Sequence, residues 1–186
     1  MIAIGIDPGL TGAVAIFNGG TDVYVVHDTP TSYTLNARGK RRGIYNIGAM
    51  FKLLGLPGIE PRHVIVAIEQ QQAFPGRKTT RYCSRCQHGM TVTVSQGAAA
   101  TFSTGRGMGI WEALVVARGY AYELVRPRVW KDRMLQGLDP GKKASSLVIA
   151  RRLFPGADLG RAKDAGRAEA LLIAAYAMKH HMRGAA

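Results

Sequence analysis

Two carboxylates in this 186-residue chain sit where a carboxylate needs a reason. Asp7 closes the apolar run IAIGID and is followed by Pro8-Gly9, a turn that stops a strand and leaves the acid at its rim. Glu69 closes HVIVAIE at 63–69, a nearly continuous apolar run of the kind that forms a central strand buried on both faces. If those strands are neighbours, the two acids converge at one edge of a sheet and repel unless a cation lies between them. Hard oxygen ligands of this type suit Mg²⁺ or Mn²⁺. A third acid, Glu169, falls early in GRAEALLIAAY, whose other residues are largely small and apolar. A carboxylate triad that holds metal ions can activate a water for in-line attack on a phosphodiester. Each acid also has a plainer reading: Asp7 as a turn cap, Glu69 as the partner of an arginine, Glu169 as a complement to a helix dipole. Lys131, within VWKDR, is either a cation beside developing charge or an exposed phosphate contact.

The charge balance names the class of partner. Lys plus Arg number 25 against 12 Asp plus Glu, a net +13, which is more than solubility requires and suits a polyanion. No Lys or Arg precedes Arg38, so the N-terminal stretch is scaffold or site and the basic face comes later. Hydrophobic residues make up 47% of the chain, enough for one compact core, and no apolar run reaches the length of a membrane span. The N-terminus lacks a charged region leading into a signal-peptide core, so the expected location is cytoplasmic.

The elements that must position the acids can be read from spacing. Residues 2–7, 12–17 and 22–28 are short apolar or β-branched runs between Gly-rich turns, which predicts a three-strand antiparallel meander. A polar loop over 29–43 follows, then a helix over 44–54 in which Ile47, Phe51 and Leu54 recur at helical spacing. After the strand at 63–69, residues 70–106 are rich in Gly, Gln, Thr, Ser and Arg, too long for a routine connection. Helices are expected at 107–118, 142–154 and 166–182, and a strand at 120–125. The order βββαβαβαα implies an α/β protein, a mixed five-stranded sheet flanked by helices as in RNase H-like folds. A single domain over 1–186 is expected, with a loop insertion at about 77–100.

The segments IGIDPGLTGA, AIEQQ, GIWEALVVARGY, RPRVWKDR and GRAEALLIAAYA resemble, in order and spacing, the RuvC-type Holliday junction resolvases, most closely the branch that includes chloroplast and phage or prophage resolvases. The similarity covers most of the chain apart from 77–100. It implies a homodimer that places two active sites on four-way junction DNA and nicks two strands symmetrically, with Asp7, Glu69 and Glu169 as ligands of Mg²⁺ or Mn²⁺. It also implies that Gln70–Gly76 and its neighbours face the junction, with Gln70, Gln71, Arg77, Lys78, Arg106 and Lys131 as DNA contacts and Phe74 either a stacking side chain or a hydrophobe that anchors the loop. The basic run Arg38, Lys40, Arg41 and Arg42 is a further candidate contact with phosphates.

Departures from the family pattern matter as much. The position four before the final Glu usually holds a His or Asp that would complete the metal site, and here it is Ala165. Either Asp164 substitutes, or catalysis is weakened and the protein binds junctions without cutting them well. Asp164 is better placed as an N-cap of the last helix. In the apparent insertion, Cys83, Cys86 and His88 supply at most three ligands, so one chain does not make a closed tetrahedral zinc site and a free thiol pair is expected. An actin-like or sugar-kinase ATPase also begins with an acidic strand end followed by Gly, but it needs a second phosphate loop and an adenosine site for which this chain is too short. No nucleotide cofactor is expected.

Overall fold

The computed structural model describes residues 1–72, 76–94 and 97–184. Three strands open the chain, β1 (Ile2–Asp7), β2 (Ala13–Asn18) and β3 (Val23–Asp28), paired antiparallel as a meander. β6 (Val64–Glu69) lies parallel to β1 on its other side, and β9 (Ala121–Val125) lies parallel to β6, so the sheet runs β3-β2-β1-β6-β9. This is the mixed five-stranded sheet that the apolar runs imply.

Alternation along the central strands sorts the core into two layers. Ile4 and Ile6 of β1 and Val64, Val66 and Ile68 of β6 point to one face, where they meet Met50 and Leu54 near the end of α1 (Ile47–Leu53) and Trp111 and Val115 of α2 (Ala98–Ala117). Ala3 of β1 and Ala67 of β6 point to the opposite face, covered by α3 (Pro127–Met134), α4 (Lys143–Leu153) and α5 (Ala165–Gly184). The residues facing α5 are small because the helix lies close to the sheet. A side chain at Gly5 would run into the backbone of Ala170 and Ala174. Small residues therefore let α5, with Ala168, Ala170, Leu171 and Ala174 all fully buried, pack directly on the strand that carries Asp7. Arg167 anchors the start of α5, its guanidinium 2.6 Å from Asp28 Oδ1 at the end of β3 and 2.5 Å from Asp158 Oδ2.

Three expectations change. Residues 29–43 are not a loop: Thr31–Leu35 (β4) pairs antiparallel with Arg41–Tyr45 (β5), and the helix that follows starts at Ile47. The turn of this hairpin is held by Asn36, whose Oδ1 accepts the backbone N–H groups of Arg38 and Lys40. The insertion is likewise a hairpin, β7 (Arg77–Tyr82) against β8 (Gly89–Val94), with Cys83 and Cys86 at its tip. Both escape notice because, Tyr45 apart, neither hairpin buries apolar side chains to produce the alternation that marks a strand. Finally, α2 begins at Ala98 rather than near Gly107, since the Gly- and Ser-containing stretch before it carries three alanines, which favour a helix start.

Candidate active site

The two strand-end acids become neighbours through register. β1 and β6 pair with Gly5 opposite Ala67 and Ile6 opposite Ile68, so Asp7 and Glu69 stand one step beyond the last pair at the same sheet edge. Their parity along the strands is that of Gly5 and Ala67, so both carboxylates leave the sheet on the α5 side. The first turn of α5 closes over them: a methyl placed on Gly166 would lie 3.1 Å from Asp7 Oδ2 and 2.8 Å from the Thr11 carbonyl oxygen. Glu169, one turn further along α5, completes the cluster.

The cluster carries more negative charge than its surroundings balance. Burial, then Glu69, then Glu169 push the Asp7 carboxyl up to about 7. Glu69 is raised as well, by burial first and then by Glu169, although hydrogen bonds to its ionised form oppose this. Those bonds orient it: the buried Trp130 indole Nε1–H donates to Oε1 at 3.1 Å and the Gln71 amide donates to Oε2 at 2.9 Å. Glu169 is held from α3 and α4, with Lys131 Nζ at 3.0 Å and the Ser146 hydroxyl donating at 3.3 Å, both to Oε1. Among the described residues the acids do not close into a ready cage of three or more ligands.

Around this centre the structure distributes the other candidate residues. Tyr45, at the end of β5, donates its hydroxyl hydrogen to the Pro8 carbonyl at 3.2 Å, so the basic hairpin is tied to the turn that follows Asp7. Beside it a cleft of about 320 Å³ is lined by Arg42 and Tyr45 from the hairpin and Phe102 and Arg106 from α2. Two basic residues far apart in sequence thus line one cleft, which Tyr45 ties to the turn after Asp7. Arg38, Lys40 and Arg41 are exposed along the same hairpin, and Lys78 is exposed on the second one. Gln70 is half-buried, its backbone N–H bonded to the Val125 carbonyl. Phe74 and the Arg77 side chain lie outside the described residues.

Asp164 is not brought to the acids. Its carboxylate is taken up by Arg161, whose guanidinium lies 2.7 Å from Oδ1 and whose backbone N–H donates to Oδ2 at 2.7 Å. It therefore caps the short 3-10 turn Ala162–Asp164 that precedes α5, rather than an orphan N–H of α5 itself, and these bonds hold it below the usual carboxylate range. Ala165 opens α5 and is buried. Residues that sequence reasoning passed over are Tyr45, Trp130, Ser146 and Gly166. Only Trp130 gave a signal, as an aromatic beside Lys131 whose indole N–H needs a partner once buried.

Over 99% of its length the chain matches the structure of T. thermophilus RuvC in complex with a Holliday junction substrate, with a TM-score of 0.54, 13% identity and 97% of that chain covered. The chain has the RuvC fold. A Thermus thermophilus RuvC structure matches over the same shares of the two chains, with a TM-score of 0.51 and 16% identity. In sequence, 85 residues, 44% of the chain, are 39% identical to the chloroplastic Holliday junction resolvase MOC1 of Chlamydomonas reinhardtii. That match spans only 9% of the length of the resolvase. No family model matches the chain. On the RuvC fold the acid cluster sits at the carboxyl ends of the central strands, under the first turns of the last helix.

Proposed function

We propose that this chain is a metal-dependent, structure-specific DNA endonuclease that resolves Holliday junctions by paired symmetric nicks, acting as a homodimer. The observation that carries the reading is the convergence of Asp7, Glu69 and Glu169 at one sheet edge, with Asp7 pushed up to about 7 by its own burial and by the other two acids. Such a set fits a hard divalent cation, which these carboxylate oxygens would hold and whose charge would balance theirs. When bound there, Mg²⁺ or Mn²⁺ would activate water and offset charge on the phosphodiester.

The chain's own residues do the rest. Trp130 and Gln71 orient Glu69, and Ser146 and Lys131 orient Glu169. Lys131 places an ammonium where negative charge would build on a phosphate. Arg42 and Arg106 flank the cleft beside Tyr45, and Arg38, Lys40 and Arg41 extend the basic surface along the hairpin. The +13 charge is consistent with a DNA partner. The 39% identity to a Holliday junction resolvase over 85 residues supports a junction as that DNA.

A second reading is a junction-binding protein that cuts slowly or not at all. It is favoured by Ala165, whose methyl offers no ligand or proton carrier one turn before Glu169, and by Asp164 being committed to Arg161. One assay decides: a labelled four-way junction and a matched duplex with Mg²⁺, scored for binding and for nicks on the same samples. Paired nicks at symmetric positions, lost in Asp7→Asn and Glu69→Gln while junction binding stays within a few-fold, support the resolvase. Tight binding without nicks supports the second reading.

A further inference from the structure

The β7–β8 hairpin is an arm without a core. Its strands pair chiefly with each other, and Tyr82, Met90 and Val94 are exposed along it. A lone two-stranded hairpin is marginal in water, so an arm of this kind needs a staple. Its tip is shaped like one half of such a staple. The turn Cys83-Ser-Arg-Cys86 is closed by Gln87 N–H to the Cys83 carbonyl at 2.9 Å and by Cys83 N–H to the His88 carbonyl at 3.0 Å. The backbone N–H groups of Cys86 and Arg85, and then the Cys86 thiol, favour the Cys83 thiolate and hold its thiol below the ordinary range. Gln87, directly after the second cysteine, has φ +56°, a left-handed conformation that a glutamine adopts only when the turn demands it. A closed turn at the end of a hairpin, with two exposed cysteines three residues apart, is a two-thiol knuckle suited to a thiophilic divalent ion.

One chain supplies too few ligands. Among the described residues no third His, Cys, Asp or Glu completes a group with the pair. Zinc in a structural site takes four ligands in a tetrahedron. Both cysteines are exposed at the tip, free to face a second copy. We infer that the hairpin tip is half of a zinc site, completed by Cys83 and Cys86 of a second copy of this chain. On binding, each of the four thiols releases its proton to solvent and the ion takes four sulfur ligands, leaving a doubly negative centre. Lys78, Arg81 and Arg85 on each arm would repel their counterparts in the other copy. The doubly negative centre between them offsets part of that repulsion. The same ion staples each arm and joins the two copies.

The test is a cobalt and zinc titration of the full-length reduced protein, with no DNA present, so its outcome is separate from that of the cleavage assay. Co²⁺ should give tetrahedral thiolate absorption that saturates at about one ion per two chains. Zn²⁺ should displace it and slow amide exchange across 77–94. Cys83→Ser and Cys86→Ser should each abolish the signal, and Asp7→Asn should leave it intact. Saturation at one ion per chain, absence of thiolate absorption, or a Cys83–Cys86 disulfide persisting under reductant would each overturn the inference.

Discussion

The Lys131 ammonium lies 3.0 Å from Glu169 Oε1, and both side chains are largely withdrawn from water, at 18% and 15% exposure. The pair joins α3 to α5 directly over the sheet edge that carries Asp7 and Glu69. Lys131 neutralises part of the cluster, and a divalent ion binding there would have to compete with it for Glu169.

Lys131→Gln should therefore separate two quantities that usually move together. The Mg²⁺ concentration for half-maximal nicking should fall several-fold, because the competing charge is gone. The nicking rate at saturating Mg²⁺ should fall by about tenfold or more, because a cation beside the phosphate is lost. A single-turnover metal titration reads both. A higher Mg²⁺ requirement with an unchanged maximal rate would remove Lys131 from this role.

Asp7 makes the metal-free protein sensitive to pH. Its carboxyl titrates at about 7 when folded against 3.8 ordinarily, so between those values the folded state holds a proton that the unfolded state has released. Stability must then fall as pH rises from about 4 to 7 and level off above. Asp7→Asn should flatten this dependence and raise the melting temperature in EDTA at pH 8, although it abolishes nicking. Thermal scans across pH, in EDTA and in Mg²⁺, check the prediction. A wild-type curve that is flat over this window would show that the cluster is not strained.

Ala165 occupies the first position of α5, so it lies one helical turn before Glu169 and close to the same face. Ala165→Asp or Ala165→His should add the missing ligand or proton carrier and raise the single-turnover nicking rate by about tenfold or more. Junction affinity should change little. If the unmodified chain already cuts at full rate and neither substitution helps, position 165 plays no part in the site.

The basic hairpin should set the salt dependence of binding. Each phosphate neutralised on duplex arms steepens the log–log slope by roughly 0.9. Replacing Arg38, Lys40, Arg41 and Arg42 with glutamine should flatten that slope. Arg42→Gln with Arg106→Gln should cost more than two tip residues, because those two line one cleft. Fluorescence anisotropy over a salt series measures this, and an unchanged slope would place the hairpin away from DNA.

Local chemistry alone determined that β1 ends on Asp7 and β6 on Glu69. An apolar run buried on both faces needs no knowledge of its neighbours to be a strand, and Pro8-Gly9 must end one. The apolar and alanine-rich runs of the later segments, alternating with a strand, likewise specified helices on a mixed sheet. The tertiary structure alone decided that the acids meet, because that depends on β1 and β6 pairing in a register that aligns Ile6 with Ile68, and on Gly5 letting α5 come close enough to bring Glu169 over them. It alone showed that Arg42 and Arg106 share a cleft and that Asp164 is spent on Arg161. The two hairpins stayed hidden for a physical reason. Their strands are held by backbone pairing with exposed side chains, and backbone pairing leaves no periodic mark on a sequence unless one face is buried.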